Sequence, residues 1–225
     1  MADTDAKIED KNNTCQGDTP CNAQKRLIKV AEQLFAEKGF DATSVRDLTA
    51  AADCNLAAVN YHFGSKEGLY TEMFVQKLRQ MRKSRLDAIE KAMTDENVTL
   101  EKLLLAFSKS FMAPLAEERD SNIFINLFAR EMCEHRLEKG LFMKELAGPT
   151  LEAMTIALQK IYPSLDGEAI QLSVFSLITQ LLQIFHIRRM LEGQVVSFEI
   201  DTMLEHIIKF SAAGIRSYVK VDRDE

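Results

Sequence analysis

The chain has 225 residues, of which 46% are hydrophobic and 28% are charged, and this composition fits one or two globular domains with a full core. Its four cysteines, Cys15, Cys21, Cys54 and Cys133, form no C-x-x-C pair, so we expect neither a disulfide framework nor a zinc site. The net charge of −6 disfavours a nucleic-acid partner for the chain as a whole, but residues 22–80 carry eight Lys or Arg against seven Asp or Glu, and phosphate contact needs only a local basic face.

Residues 1–21 are polar and turn-rich, and we expect them to form a tail without a fold of its own. The tail holds Lys7 and Lys11 against five acidic residues, so a role on DNA is not expected for it. It lacks the basic and apolar regions of a signal peptide, and no window of the sequence is apolar for long enough to span a bilayer. We therefore expect a cytoplasmic protein.

The first predicted helix begins after Asn22, which is a suitable N-cap, and ends at Gly39. Its apolar residues recur at helical spacing and form one stripe. The stripe consists of Leu27, Ile28, Ala31, Leu34 and Phe35. This helix is expected to support the segment that follows it.

Residues 43–66 predict two short helices joined by a tight turn and followed by the start of another helix. Ser44 and Asp47 have the spacing of a capping box, so the first short helix begins at Thr43 or Ser44. Asp53 stands at the turn, where aspartate tolerates a left-handed backbone, and Asn55 can cap the second helix. The inner face of the first helix consists of Val45, Leu48 and Ala52.

In the second short helix, Val59 and Phe63 lie four residues apart and are predicted to anchor it to the core. This leaves four residues on the outer side, namely Leu56, Ala57, Ala58 and Asn60. Small outer residues allow a helix to lie close to base edges, as in a helix-turn-helix that enters a DNA groove. Ser65 is predicted to cap a long fourth helix that ends near Met93.

After the polar break at residues 94–97, the apolar spacing predicts only helices, so the chain is predicted to be all-α. The predicted helices cover about 99–114, 120–132, 137–162, 167–192 and 198–219. The helix at 137–162 is expected to kink or break at Gly148-Pro149. The helix at 167–192 is apolar on nearly every side and is therefore expected to be buried all round. A second subunit would cover part of this surface.

Three stretches resemble the TetR family of one-component bacterial transcription regulators, which are usually repressors. They are Ala31-Glu-Gln-Leu-Phe-Ala-Glu-Lys-Gly-Phe40, Thr43-Ser-Val-Arg-Asp-Leu48 and Asn55-Leu-Ala-Ala-Val-Asn-Tyr-His-Phe-Gly-Ser-Lys-Glu-Gly-Leu69. The resemblance implies a three-helix DNA-binding domain at 22–67 and a helical effector-binding and dimerisation domain at 68–225. It also implies a homodimer formed through the last two helices. Asp53 and Cys54 depart from the family pattern, in which Gly and an apolar residue are usual.

The same resemblance assigns DNA contacts residue by residue. Phosphate contacts fall to Tyr61, His62 and Lys66, with Thr43 or Ser44 presenting the helix N-terminus to another phosphate. The family's base-reading positions are occupied here by Arg46, Leu56, Ala57, Ala58 and Asn60. Asn60 can bind adenine through two hydrogen bonds and the alanines can touch thymine methyl groups, whereas Arg46 can either read guanine or hold a phosphate.

The stretch Phe128-Ala-Arg-Glu-Met132 and the rest of the C-terminal half resemble one subgroup of the family with its own effector domain. Large and flexible side chains there can line an adaptable apolar cavity or can be plain core. The candidates are Phe107, Phe111, Met112, Phe124, Phe128, Met132, Met154 and Phe175. Polar candidates to orient a ligand are Arg130, Gln180, Gln183 and His186.

A metal site is a weaker alternative for Glu131, Glu134 and His135, because two of them share a helical face but no further ligand lies nearby in the sequence. We therefore expect no metal and no cofactor. An enzyme is not expected either, since the sequence has no nucleophile elbow, phosphate loop or paired catalytic carboxylates.

The sequence thus predicts a homodimeric repressor that binds a palindromic operator and is released by a small, largely apolar effector. Two alternatives remain open, a DNA-binding protein that responds to a protein partner and a DNA-organising protein of low sequence preference. The sequence does not name the operator, the effector or the regulated genes.

Overall fold

The computed structural model describes residues 20–116, 118–191 and 199–219. Within these ranges the chain forms helices and no strand, which confirms the all-α prediction. The helices are α1 (Pro20–Lys38), α2 (Val45–Ala51), α3 (Ala57–Phe63), α4 (Lys66–Met93), α5 (Leu100–Ala116), α6 (Glu118–Glu134), the π-helical turn Met143–Ala147, α7 (Gly148–Ile161), α8 (Gly167–Leu191) and α9 (Ile200–Ser217). Among these helices, none is long and apolar enough to cross a membrane. The predicted tail, apart from Pro20 and Cys21, lies outside the described residues.

Helix α1 begins at Pro20, two residues before the predicted N-cap, so Asn22 lies in its first turn instead of capping it. Proline is well suited to a first turn, because its φ is already helical and its missing N–H has no partner there in any case. The C-terminal prediction is confirmed, since Gly39 follows Lys38 with a φ of 85°. Glycine takes this left-handed conformation without the steric cost of a Cβ.

The N-terminal core contains more of the chain than the first three helices. Leu69, Tyr70, Met73 and Phe74 of α4 and Leu127 of α6 are buried together with the apolar residues of α1, α2 and α3. The rings of Phe35, Phe40 and Tyr70 contact one another with centroid distances of 5.1–5.4 Å. Two helices of the C-terminal half therefore help to hold the DNA-binding part.

Helix α4 is the physical connection between the two cores. Ser65 caps it, as predicted, by accepting a hydrogen bond of 3.0 Å from the backbone N–H of Gly68. Its 28 residues span about 42 Å, so its first turns lie in the N-terminal core while Ile89 lies in the C-terminal core. A displacement at either end is therefore transmitted along one rigid element.

The predicted break at Gly148-Pro149 is confirmed and takes the form of a π-helical turn. The N–H of Gly148 donates to the carbonyl of Met143, five residues earlier. Pro149 has no N–H for the carbonyl of Glu145, four residues before it, and that carbonyl instead accepts a hydrogen bond of 3.2 Å from Arg82 of α4. The predicted helix starts near residue 141 and not at Leu137.

The C-terminal core lies among α5, α7, α8 and α9, with the end of α4. In the single chain, α8 is not buried on all sides, and the predicted cover by a second subunit stays a prediction. Leu172, Phe175 and Leu182 are 54%, 50% and 42% exposed, because only the opposite side of α8 packs against the core. Phe210 of α9 is likewise 64% exposed.

Candidate nucleic-acid interface

The N-terminus of α2 is closed by the predicted capping box. Ser44 is the N-cap, and its Oγ accepts a hydrogen bond of 3.1 Å from the Asp47 N–H while the Ser44 N–H donates to the Asp47 carboxylate at 2.9 Å. The Ser44 hydroxyl also donates to this carboxylate, at 2.6 Å. These hydrogen bonds from Ser44 lower the pKa of Asp47 below its usual range, so the Asp47 carboxylate stays ionised.

Of the two residues proposed to begin this helix, only Ser44 reaches the surface. Thr43 is fully buried, and its hydroxyl donates to the carbonyls of Gly39 at 2.8 Å and Leu34 at 3.3 Å. The Thr43 side chain therefore joins α1 to α2 and does not face solvent. Ser44 is exposed and is the residue that could present this helix end to a phosphate.

The turn between α2 and α3 is held by a residue that the sequence analysis did not single out. Asp53 has the predicted left-handed conformation, with a φ of 51°. Arg26 of α1 donates through Nε to the Ala52 carbonyl at 2.9 Å and through Nη2 to the Asp53 carbonyl at 3.2 Å. A guanidinium thus satisfies carbonyls that the turn leaves without helical partners. Its position 26 residues earlier offered no signal in the sequence.

Helix α3 exposes most of the residues predicted to read bases. Val59 is completely buried and Phe63 packs partly against the N-terminal core, as predicted. The side facing solvent holds Leu56, Ala57, Asn60 and Tyr61, with Leu56 53% and Tyr61 78% exposed. Ala58, expected on this side, is half-buried against the core.

The start of α3 differs from the prediction in its cap. Leu56 occupies the N-cap position without a side-chain hydrogen bond, so the proposed capping by Asn55 is wrong. Asn55 contributes its backbone carbonyl, which accepts a hydrogen bond of 3.0 Å from the Ala58 N–H. The side chain of Asn55 is exposed.

The residues proposed to hold phosphates differ in their exposure and in their hydrogen bonds within the protein. Tyr61 is largely exposed and its ring contacts the edge of His62 at a centroid distance of 4.9 Å. Lys66 is partly buried, and its Nζ donates to the carbonyls of Phe40 and Thr43 at 3.0 Å each, over the Phe40 ring. Lys66 therefore ties α4 to the connection between α1 and α2. Arg46, on α2, is exposed.

Gly68 fixes the position of α3 against α4. A Cβ on Gly68 would lie 2.0 Å from the Phe63 carbonyl oxygen, at the end of α3. Because that oxygen belongs to the backbone, it could move away only if the end of α3 moved with it.

We expect Gly68→Ala to lower the free energy of unfolding by about 1–3 kcal/mol, since the added methyl group overpacks a backbone contact. DNA binding should weaken too, because α3 would shift in the interface. Urea denaturation and DNA titration would measure both effects. Gly167→Ala is the matched control, because nothing lies within 4 Å of its added Cβ. Equal behaviour of the two variants would contradict the prediction.

The described residues among those proposed for an effector pocket differ widely in burial. Phe107, Phe111 and Met154 are buried in the C-terminal core, whereas Phe128 is half-buried beside Phe142, with a ring-centroid distance of 5.6 Å. Met112 is also buried in that core, Gln180 is partly buried, and Met132, Phe175 and Gln183 are exposed. The side chains of Phe124 and His186 lie outside the described part of the structure. The effector pocket thus stays a prediction.

A shallow cleft does lie where α6 meets α1 and α4. None of the predicted effector residues lines it. Its lining consists of Glu32, Met73, Phe74, Lys77, Ile123 and Leu127.

Polar contacts connect the beginning of α4 and the first two helices to the end of α6. The hydroxyl of Tyr70 donates to Glu131 at 2.9 Å, and burial together with this carboxylate raises the pKa of Tyr70 above its usual value. Arg136 forms an ion pair with Asp41 in the connection between α1 and α2. Arg130, considered above as a ligand contact, instead lies against Gly39.

The acidic residues considered for metal binding have other partners. Glu131 accepts hydrogen bonds from Tyr70 and from the Leu137 N–H, the latter at 2.8 Å, and Glu134 pairs with Arg136 at 2.6 Å. His135 ends α6 with a φ of 52°. Over the described ranges, no group of three His, Cys, Asp or Glu side chains is placed to hold a metal ion.

A capped helix pair that presents an exposed second helix, in front of a larger helical domain, defines a helix-turn-helix DNA-binding protein. Two family models agree with this class. Residues 27–73 match the model of bacterial regulatory proteins of the tetR family, and residues 100–215 match the C-terminal domain of the HTH-type transcriptional dual regulator CecR. The chain belongs to the TetR family and is a DNA-binding transcription regulator, not an enzyme.

Individual relatives match mainly in the N-terminal region. The chain is 50% identical over 48 residues to CecR of Shigella flexneri, covering 21% of each chain, and 29% identical over 106 residues to the repressor KstR2 of Mycolicibacterium smegmatis, covering 47% of this chain and 49% of that protein. The aligned segments thus span between about a fifth and a half of these relatives' length. A crystal structure of a TetR-family regulator from Mesorhizobium loti has the same fold, with a TM-score of 0.63, 17% identity, and coverage of 90% of this chain and 97% of that one.

Proposed function

We propose that the protein is a homodimeric repressor that binds a palindromic operator and is released by a small effector with a largely apolar body. The observation that carries the proposal is the exposed side of α3, a helix that the fully buried Val59 anchors to the N-terminal core. A helix anchored in this way can enter a major groove as a rigid unit. Asn60 would then bind adenine, and Leu56 and Ala57 would touch thymine methyl groups.

Phosphate contacts by Tyr61, His62 and Ser44 would set the register of the protein on the duplex. The basic balance in this region is small, so affinity has to come from geometry and from two linked binding domains. Repression is the expected outcome because a bound dimer would block access of other proteins to the same DNA. We place the protein in the cytoplasm, where bacterial DNA lies.

The exposed apolar residues of α8 and α9 support the dimer. Leu172, Phe175 and Leu182 lie on one side of α8 at spacings of three and seven residues, and α9 adds Phe210. Such a stripe is suited to packing against its own copy around a two-fold axis. The two α3 helices of a dimer would then meet successive major grooves about 34–36 Å apart.

Release requires that the effector favours one conformer over another. Helices α4 and α6 are placed to carry this difference, because both contribute buried residues to the N-terminal core. The contacts of Tyr70 with Glu131 and of Asp41 with Arg136 lie along the same path. A shift of α6 or α4 in the C-terminal half would therefore change the position of α3.

The test is a titration of the full chain with a duplex selected from a random library, at physiological salt, with unselected duplex as competitor. Tight, competitor-resistant binding that a small molecule abolishes would support the proposal. Equal competition by unselected duplex would instead show a DNA-organising protein. Specific binding that responds only to a protein partner would show the other alternative.

Asn60→Ala is expected to weaken binding to the selected duplex by about 1–3 kcal/mol per half-site, because one bidentate contact to a base is lost. Affinity for unselected duplex should stay unchanged, since phosphate contacts remain. Fluorescence anisotropy with both duplexes would measure the difference. Asn97→Ala makes the same chemical change in the exposed connection between α4 and α5 and should alter neither affinity. An equal loss on both duplexes would argue against base reading by Asn60.

A further inference from the structure

Arg85 of α4 is a buried arginine in the interior of the C-terminal half. Its side chain and backbone together are 5% exposed, and its guanidinium lies over the ring of Phe111 at 4.4 Å from the centroid. Two other arginines on the same helix are placed differently. Arg79 and Arg82 both pair with Glu145 of the π-helical turn, at 2.9 Å and 3.5 Å.

Across the described ranges, the buried Nε of Arg85 has no hydrogen-bond partner. Ser108 of α5 is fully buried and its Oγ is also unpartnered within these ranges. It lies three residues before Phe111 and so on the same side of α5. Two buried donors without acceptors thus occur in neighbouring helices, an arrangement that folded proteins rarely keep without a ligand or water.

The charge of Arg85 persists despite its burial. Desolvation lowers the pKa of Arg85 to about 10, which still leaves the guanidinium protonated at neutral pH. The face of Phe111 offsets only part of the cost of removing this cation from water. None of the ion pairs within the described ranges involves Arg85, so an anion is the partner that its charge lacks.

We propose that Arg85 binds the carboxylate of the effector, which is a small organic acid with an apolar body. This inference rests on the proposed function, because it names the chemical class of the effector. A planar guanidinium matches a carboxylate with two parallel hydrogen bonds. One unpaired charge suits a monoanion better than a doubly charged phosphate, and the Phe111 ring beside the guanidinium suits an apolar body.

The position of Arg85 also explains how binding would reach the DNA. Arg85 and Tyr70 lie on the same helix, about 22 Å apart along its axis, and Tyr70 belongs to the N-terminal core. An acid held by Arg85 therefore acts directly on the helix that carries Lys66 and Gly68 beside α3.

The experiment compares carboxylates with their neutral primary amides on the full chain. Octanoate, benzoate and phenylacetate, each with its amide, are titrated by calorimetry and added to the complex with the selected duplex. The carboxylate that binds best should bind about 10- to 100-fold more tightly than its amide, as expected for a charged pair of hydrogen bonds, and should release the duplex. Arg85→Met should remove this preference.

Lys83→Met is the matched control, because Lys83 lies on the same helix with an exposed side chain that pairs with Asp87. It should keep the preference for the carboxylate. The inference is overturned if no carboxylate binds the unaltered protein better than its amide, a comparison that does not depend on the folding of Arg85→Met. It is also overturned if a folded Arg85→Met keeps the preference. Failure to select any duplex would instead overturn the proposed function and leave the carboxylate comparison intact.

Discussion

Replacing both Phe175 and Leu182 with glutamate is expected to convert the dimer into a monomer and to weaken operator binding by about two to four orders of magnitude. Both side chains are about half-exposed in the single chain, so the substitutions do not disturb its own core. In a dimer, however, they would place four carboxylates in an apolar interface. The linked binding of two half-sites would then be lost.

Light scattering after size-exclusion chromatography would give the mass, and anisotropy with the selected duplex would give the affinity. Ile156→Glu is the control, because Ile156 is likewise an exposed apolar residue, at 62%, that belongs to α7 and not to α8 or α9. It should remain dimeric with unchanged affinity. If the double variant stayed dimeric, the α8 and α9 surface would not be the interface.

Phe107→Ala is expected to lower the free energy of unfolding by about 3–5 kcal/mol. Phe107 is fully buried, and its ring packs near Phe111 at a centroid distance of 6.2 Å. Truncation of a well-packed phenylalanine removes its burial and leaves a cavity that its neighbours fill only in part. A loss of this size would unfold much of the C-terminal half near physiological temperature.

Chemical denaturation would measure this loss, with Met132→Ala as the comparison. Both residues are candidates for the effector pocket, but Met132 is 60% exposed, and its truncation should change stability by no more than about 0.5 kcal/mol. If Phe107 instead lined an open cavity, its truncation would cost little and would alter the response to an effector. Equal stability of the two variants would therefore contradict the packing seen in the structure.

The sequence by itself determined the features that depend on residues close together in the chain. The capping box of Ser44 and Asp47, the left-handed Asp53, the Ser65 cap and the break at Gly148-Pro149 all appear where they were predicted. These features involve residues no more than five positions apart, so their local chemistry can be read directly from the order of residues. The buried position of Val59 followed from the same helical spacing.

Only the tertiary structure decided which side chains are available to a ligand or to DNA. Thr43 turns inward to α1, Lys66 binds carbonyls 23 and 26 residues away, and Arg26 reaches across to the α2–α3 turn. Arg85 lies over the Phe111 ring, while Arg79 and Arg82 share the Glu145 carboxylate, more than 60 residues away. Such contacts depend on how helices pack, and helical spacing states only which residues share a face, not what that face meets.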